Sequence, residues 1–193
     1  MGRDRLIEIL RETSVKTAPE PIFRLASGKM SRYYVDCKQA LSDPEARALI
    51  GQMACDLIQG QSFDVVGGLE LGAYPVAIAI SDAVFRATGA RLRVFVVRKE
   101  PKTHGITDLI AGNVRSGERA LIVEDVVTSG SSTLKAISGA RAAGLVVERV
   151  IALIDREEGN GAQNLEADGV EFSALFKLSD LIGPDSIGSD PES

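Results

Sequence analysis

The chain has 193 residues, of which 45% are hydrophobic and 25% are charged, and these fractions are ordinary for a globular protein. This length predicts one domain that buries a substantial core. The formal net charge of −5 argues against a general nucleic-acid binder, because such proteins present a basic face. We therefore expect no nucleic-acid partner.

Cysteine content and hydropathy indicate the cellular compartment in which the protein works. Cys37 and Cys55 lack metal-ligand spacing and are too few for a disulfide framework. We expect both to be buried small side chains in a reducing compartment. Segment 1–10 is charged and amphipathic, unlike a signal peptide, and no apolar run approaches the roughly 18 residues of a membrane span. These features predict a cytoplasmic protein with no membrane partner.

The first part of the chain is predicted to contain short, irregularly spaced elements. A helix is predicted over 5–12, followed by a loop over 13–21, where two prolines interrupt regular structure. Residues 23–25 and 32–36 are predicted to form a hairpin around a Ser-Gly turn. The sequence Ser-Asp-Pro-Glu at 42–45 marks the start of a helix that runs to about residue 58.

From residue 63 onward, apolar runs typical of buried strands alternate with helical stretches. The strands are predicted at 63–66, 93–97, 119–123, 146–154 and 171–176. Helices are predicted at 75–88 and 134–143, and the tail 183–193 is predicted to be frayed. This alternation predicts an α/β fold with a central, mostly parallel sheet flanked by helices on both faces. Such sheets bind ligands beyond the carboxyl ends of their strands.

The most informative stretch is Leu-Ile-Val-Glu-Asp-Val-Val-Thr-Ser-Gly-Ser-Ser-Thr at 121–133. An apolar run leads into two acids, Glu124 and Asp125, then into small and hydroxyl residues and a helix. Such a turn can direct several backbone N–H groups at one phosphate, with the helix dipole adding to the attraction. Because a phosphate repels carboxylates, the two acids indicate ribose hydroxyls or a magnesium-bound sugar.

Other nucleotide motifs fit this stretch poorly. The P-loop pattern is missing, and Lys135 lies too far along the helix to be its lysine. A dinucleotide fingerprint needs three glycines where this turn has one. An ordinary strand-to-helix connection, capped by Ser131 or Ser132, remains the alternative.

A basic segment precedes this stretch. Its four potentially cationic side chains are Arg98, Lys99, Lys102 and His104. Pro101 and Gly105 argue against a helix, so we expect a mobile loop over 98–110, and a solvated surface loop is the alternative. Because the segment leaves a strand end of the same sheet, it could close over an anionic leaving group and exclude water. With the glycine-rich turn at 67–72, these features describe a phosphorylated ribose that bears a pyrophosphate.

Three segments resemble known proteins. Val-Glu-Asp-Val-Val-Thr-Ser-Gly-Ser-Ser-Thr at 123–133 resembles the phosphoribosyl pyrophosphate (PRPP) motif of type I phosphoribosyltransferases. Arg-Lys-Glu-Pro-Lys-Thr-His-Gly at 98–105 resembles the catalytic loop of the orotate phosphoribosyltransferase family, and 23–36 resembles its N-terminal hood. The likeness extends from about residue 8 to 181. It implies the type I phosphoribosyltransferase fold in a single domain over 1–193, with a small hood from about 1–40 and a flexible catalytic loop.

The resemblance implies roles in binding PRPP. Glu124 and Asp125 would bind the ribose 2′- and 3′-hydroxyls. The 5′-phosphate would be held by Val126, Val127, Thr128, Ser129, Gly130, Ser131 and Ser132. Lys102 and His104 would close over the pyrophosphate, supported by Arg98 and Lys99, and would be catalytic together with Asp125. In the family this loop reaches into the neighbouring subunit, which implies a homodimer with shared active sites.

The resemblance also implies the second substrate and the reaction. Arg156 matches the arginine that pairs with the orotate carboxylate, and a planar guanidinium suits a bidentate contact with that group. Thr128 matches a further orotate contact, and Tyr34 and Val35 match positions that flank the pyrimidine ring. The implied glycosyltransferase moves ribose 5-phosphate from PRPP to N1 of orotate in de novo UMP biosynthesis, giving orotidine 5′-monophosphate and pyrophosphate. Magnesium is expected as cofactor, held mainly through PRPP.

Two positions depart from the family pattern, since Ala26 and Gly72 stand where some members carry lysine. The pyrophosphate would then depend more on the closing loop, on magnesium and on backbone amides.

Two other functions stay open. One is a phosphoribosyltransferase for a purine or uracil, for which Arg156 is the discriminating residue. The other is a PRPP-sensing regulator that binds nucleic acid, against which the basic loop and the acidic balance argue.

Overall fold

The computed structural model describes residues 2–25, 28, 30–100 and 109–183. The helices of this part are α1 (Gly2–Thr13), α2 (Lys38–Ser42), α3 (Pro44–Leu57), α4 (Ala73–Thr88), α5 (Ser131–Ala142), α6 (Gly161–Ala167) and α7 (Leu178–Ile182). Its strands are β1 (Val15–Thr17), β2 (Phe23–Arg24), β3 (Met30–Ser31), β4 (Tyr33–Val35), β5 (Val65–Leu69), β6 (Arg93–Val97), β7 (Ile110–Ala111), β8 (Arg119–Val127), β9 (Val146–Asp155) and β10 (Glu171–Lys177). Of the predicted tail, only Gly183 falls within the described residues.

A six-stranded sheet forms the centre of the fold, in the order β10-β9-β8-β5-β6-β7. All neighbours are parallel except β6 and β7, which are antiparallel. The core on one face includes side chains from α1, α3, α4 and α7, and the core on the other face includes side chains from α5 and α6. The predicted α/β fold, with a mostly parallel sheet covered on both faces, is confirmed.

The predicted helix start before residue 44 is confirmed in detail. Asp43 is the N-cap of α3, its side chain accepts the Ala46 N–H at 3.0 Å, and Pro44 occupies the first helical position. These features satisfy a donor that the helix leaves unpaired and preset its first turn. The helix therefore begins where local chemistry dictates.

The N-terminal hood differs from the prediction in its pairing. β2 pairs with β3, so the second strand of the hairpin is Met30–Ser31 and not 32–36. The Ser31 hydroxyl accepts the Tyr33 N–H at 3.1 Å, which ends β3 and redirects the chain. β4 then pairs with β1, a strand inside the segment predicted to be a loop. The two prolines lie beyond β1 and do not interfere with it.

β5 and β8 end three and four residues later than predicted, and β5 also begins two residues later. β5 includes Gly67 and Gly68, which were expected in a turn. No side chain fits at either position, since a Cβ on either glycine would meet a carbonyl oxygen at 2.2 Å. β8 continues to Val127 because its last residues pair with the end of β9. The acid pair therefore lies within a strand and not after it. The short helices α2, α6 and α7 were not predicted.

Of the two cysteines, both free, Cys37 is fully buried as expected, whereas Cys55 is only partly buried, so the prediction for Cys55 was wrong. Burial also raises the pKa of the Cys37 thiol well above its ordinary value, and the nearby carboxylates of Asp125 and Asp36 add to this.

Among the described residues, none of the helices is long and apolar enough to cross a membrane.

Candidate active site

The carboxyl ends of four neighbouring strands bring the predicted site residues to one edge of the sheet. Glu70 follows β5, Arg98 follows β6, the acid pair lies near the end of β8, and Arg156 follows β9. Parallel strands place these ends together, and ligands of such sheets bind there. Ala26, Lys102 and His104 lie outside the described residues.

Glu124 and Asp125 share one hydrogen-bonded arrangement. Glu124 is buried, its Oε2 accepts the Thr133 hydroxyl at 3.4 Å, and its Oε1 accepts the Asp125 N–H at 3.2 Å. Burial, and then the adjacent Asp125, raise the pKa of Glu124 to about 8. At neutral pH Glu124 therefore keeps a proton, and the pair can both donate to and accept from neighbouring hydroxyl groups.

Asp125 lies at the N-terminus of α4. A Cβ built on Gly72, the N-cap of that helix, would meet the Asp125 Cγ at 2.5 Å. The helix dipole favours a carboxylate in this position, and the Asp125 Oδ1 also accepts the Val126 N–H at 3.0 Å. Gly72 thus makes room for the carboxylate.

The predicted phosphate turn lies between β8 and α5. Its N-cap is Gly130, with φ +76 and no side-chain cap, so neither Ser131 nor Ser132 caps the helix as the alternative required. The first N–H groups of a helix have no partner within it, which leaves them available to an anion. The hydroxyls of Ser129 and Ser131 lie 3.3 Å apart beside them.

A contact from α6 supports the turn, and no motif in the sequence predicted it. The Asn164 side chain donates to the Ser129 carbonyl at 2.9 Å. Gly161 allows close approach, since a Cβ there would meet the Thr128 carbonyl oxygen at 2.5 Å. Residues far along the chain therefore preorganise the turn: Asn164 and Ser129 are 35 residues apart.

Arg156 is buried beside the hood. Its NH2 group lies 3.4 Å from the Ser31 hydroxyl, 3.2 Å from the Tyr33 carbonyl and 3.3 Å from each carboxylate oxygen of Glu158. Its Nε has no hydrogen-bond partner, although only 4% of the residue is exposed. An unpaired buried donor is costly, so this guanidinium is suited to an incoming acceptor.

The backbone around Arg156 fixes its direction. Its N–H donates to the Val127 carbonyl at 2.9 Å, which ties it to the phosphate turn. Glu157 follows with φ +59, its N–H donates to Asp155 at 2.9 Å, and its side chain accepts the Ser179 N–H at 3.0 Å. A non-glycine residue in this conformation needs such support, and strained turns of this kind cluster at functional sites.

Two other predicted residues of the hood differ in environment. Tyr34 is 38% exposed, and its ring lies 5.8 Å from that of Phe23. Val35 packs against the core instead. The Tyr33 carbonyl contacts Arg156, and Tyr34 is the next residue of β4.

The ends of the basic loop are anchored to the sheet. The Arg98 N–H donates to the Leu109 carbonyl at 2.8 Å, and the Lys99 N–H donates to the Glu70 carboxylate at 2.9 Å. Glu70 therefore holds the start of the loop. The Arg98 Nε is buried without a partner.

Comparison with known proteins identifies the class of this fold and site. None of the protein-family models compared with the chain matches it. Orotate phosphoribosyltransferase of Mycobacterium tuberculosis, solved with Fe(III) dicitrate, superposes with a TM-score of 0.81 at 38% identity, covering 94% of this chain and 99% of that one. Its complex with PRPP gives 0.76 at 36% identity, covering 94% and 99%. The fold is that of the type I phosphoribosyltransferases.

The sequence comparison narrows the class to a family. The chain is 47% identical to orotate phosphoribosyltransferase of Aquifex aeolicus over 182 residues, which cover 94% of this chain and 98% of that protein. The chain belongs to the orotate phosphoribosyltransferase family.

Proposed function

We propose that this protein is a glycosyltransferase that moves ribose 5-phosphate from PRPP to N1 of orotate, releasing pyrophosphate and forming orotidine 5′-monophosphate. The reaction would be a cytoplasmic step of de novo UMP biosynthesis. The observation that carries the proposal is the buried, partly unpaired Arg156, joined through the Val127 carbonyl to the phosphate turn. One edge of the sheet thus offers a site for a carboxylate beside a site for a phosphorylated sugar.

The sugar-phosphate half of the site stabilises charge on the ribose. N1 attacks C1′ while the bond to pyrophosphate breaks, so positive charge develops on the ring. Asp125 supplies a carboxylate near that ring, and Glu124, which keeps a proton at neutral pH, hydrogen-bonds the sugar hydroxyls. The 5′-phosphate is held by the amides and hydroxyls of Val126, Val127, Thr128, Ser129, Gly130, Ser131 and Ser132.

The base half of the site selects for a carboxylate. The Arg156 guanidinium is planar and always charged, and its unpaired Nε lies next to NH2. Two parallel N–H donors match the two oxygens of the orotate carboxylate. Thr128 and Tyr34 complete this half as contacts to the pyrimidine.

The leaving pyrophosphate is met by Arg98, Lys99, Lys102 and His104. We propose that the loop closes over the site of the neighbouring subunit, so that two chains share their active sites. Leu71 and Tyr74, which are 71% and 43% exposed, lie at the start of α4 beside Glu70, which holds the base of the loop. Large apolar side chains so exposed favour burial against a second copy of the chain.

We propose that magnesium enters the site with PRPP. The described residues contain no group of three or more potential ligands for a metal ion. Asp125 and the proton-bearing Glu124 are the acidic groups beside the sugar, and Asp125 would help to hold a metal that is bound mainly through PRPP. When bound, magnesium would neutralise charge on the leaving pyrophosphate.

The test of the reaction is a spectrophotometric assay of orotate loss with PRPP and magnesium, run in parallel with adenine, hypoxanthine and uracil. We expect orotate alone to be consumed, and Arg156→Ala to lose most of the orotate turnover. Consumption of another base by the wild-type protein would overturn the assignment of substrate.

The test of shared active sites is subunit complementation. Lys102→Ala and Arg156→Ala should each be nearly inactive, and mixing them after mild dissociation should restore activity through heterodimers with one intact site. A mixture as inactive as its components would contradict loop exchange between subunits.

A further inference from the structure

Glu158 is the acidic group paired with the buried Arg156. Both of its carboxylate oxygens lie 3.3 Å from the Arg156 NH2. The Arg156 side chain is 4% exposed, whereas the Glu158 side chain is 33% exposed. A buried guanidinium needs a counter-charge, because an unpaired charge in this environment is strongly unfavourable. Glu158 supplies that charge.

The geometry of this pair is that of a loose contact. The NH2 group carries two hydrogens, yet four acceptor atoms surround it, from Ser31, Tyr33 and Glu158. All four distances exceed the range of about 2.7–2.9 Å that is typical of charge-assisted bonds between nitrogen and a carboxylate. Glu158 reaches one nitrogen only, and the Nε stays unpaired. The pair is therefore not the bidentate contact that arginine favours.

We propose that Glu158 is an internal stand-in for the substrate carboxylate, which orotate displaces from Arg156 when it binds. The proposal rests on the function proposed above. An incoming carboxylate that engages Nε and NH2 gains two parallel bonds, and Glu158 can move its partly exposed carboxylate into water. Arg156 thus exchanges one anionic partner for another and stays neutralised throughout.

This exchange affects specificity as well as stability. The substrate carboxylate must compete with Glu158, so orotate binds less tightly than the buried guanidinium alone would allow. A pyrimidine without a carboxylate cannot displace Glu158 and gains nothing from Arg156. Glu158 is accordingly a specificity-determining residue that acts through Arg156.

The test compares two nucleotides that differ only in the carboxylate, orotidine 5′-monophosphate and uridine 5′-monophosphate. Their dissociation constants are measured by calorimetry for the wild-type protein, for Glu158→Gln and for Glu158→Asp. We expect Glu158→Gln to bind orotidine 5′-monophosphate about two- to fivefold more tightly, because this change in affinity corresponds to the free energy of one partly exposed ion pair. The affinity for uridine 5′-monophosphate should be unchanged. The KM for orotate should fall by a similar factor. Glu166→Gln, a change at an exposed glutamate of α6, serves as the control and should alter neither constant.

Thermal unfolding supplies a second measurement. Without ligand, Glu158→Gln should melt below the wild-type protein, because it leaves Arg156 without a counter-charge, and orotidine 5′-monophosphate should raise its melting temperature by more than it raises that of the wild type. Glu158→Asp keeps the charge and should lie between the two.

Two results are decisive against the inference. If Glu158→Gln weakens orotidine 5′-monophosphate or leaves it unchanged, Glu158 orients Arg156 or is irrelevant to it, and the stand-in role is wrong while the proposed function stands. If the wild-type protein itself shows no preference for orotidine over uridine 5′-monophosphate, the proposed function fails first, and the inference fails with it.

Discussion

The carboxylate of Asp125 occupies the space that a side chain at Gly72 would need. A Cβ on Gly72 would meet Oδ1 of Asp125 at 2.5 Å and Oδ2 at 2.6 Å. Gly72 therefore acts on the proposed ribose site through Asp125, although it has no side chain of its own.

Gly72→Ala should displace Asp125 and lower kcat/KM for PRPP by about tenfold or more, because small misplacements of a substrate-positioning group are costly. Steady-state kinetics in a double-mutant cycle check this. In an Asp125→Ala background the same change should have little further effect, since the residue that it displaces is already gone. Gly2→Ala, whose Cβ would make an ordinary 3.4 Å contact with Leu49, is the control and should leave kcat/KM unchanged. Full additivity in the cycle would show that Gly72 acts by another route.

Glu124 makes the stability of the protein depend on pH. Burial and the neighbouring Asp125 raise its pKa from 4.5 to about 8, so between these values the folded protein holds a proton that the unfolded chain releases. Stability therefore falls as pH rises from about 4.5 to 8. Glu124→Gln cannot ionise and should be more stable than wild type at pH 9, by several kcal/mol, with little or no advantage at pH 4.

Denaturant unfolding at pH 4, 7 and 9 measures this difference. Glu12→Gln, at an exposed position of α1, should show no such trend. A gap between Glu124→Gln and wild type that is the same at all three pH values would refute an ionisation effect.

Lys102→Ala should lower turnover far more than it weakens PRPP binding. If the loop neutralises the leaving pyrophosphate as charge builds on it, the lysine acts mainly in the transition state, and its loss should cost kcat roughly 100-fold or more. Single-turnover kinetics and PRPP binding by calorimetry separate the two effects. Lys135→Ala, at an exposed position of α5, is the charge-matched control. Unchanged turnover at saturating substrate would exclude the loop from the reaction.

The two cysteines should differ sharply in reactivity. Thiolates react with alkylating agents, and burial both hides the Cys37 thiol and raises its pKa, whereas Cys55 is only partly buried. In native protein at pH 8, Cys37 should be alkylated slower than Cys55 by on the order of 100-fold, because it needs a local opening first. Peptide mass spectrometry after timed iodoacetamide treatment measures both rates. Comparable rates would mean that the segment around Cys37 opens readily.

The five parallel strands of the sheet and its long helices could be predicted because each of these elements carries a local signal. β6 was predicted at its observed bounds, since Arg-Val-Phe-Val-Val is a short apolar run between turns. α3 was marked by Asp43 and Pro44, whose capping role is a matter of neighbouring residues alone. Alternation of such elements then determines a parallel sheet with little ambiguity.

Features that depend on distant partners could not be predicted in this way. Nothing near residues 15–17 shows that they pair with β4, and nothing near Gly72 shows that Asp125 lies against it. The extent of β8 follows from its pairing with β9, so the sequence placed the acid pair after the strand and not in it. Glu158 has no motif of its own, and only its distance from Arg156 singles it out.

The two halves of the site differ in how far along the chain their parts lie. The acid pair and the phosphate turn come from one short segment, and the Glu124–Thr133 bond spans nine residues. The base half requires Arg156 to meet Tyr33 and Ser31 across 123 and 125 residues. Closing such a long loop carries an entropic cost that is recovered only after the sheet has formed. A refolding chain should therefore acquire the proposed phosphate pocket before the proposed pyrimidine pocket, and pulse-labelled hydrogen exchange should protect α5 before β3 and β4.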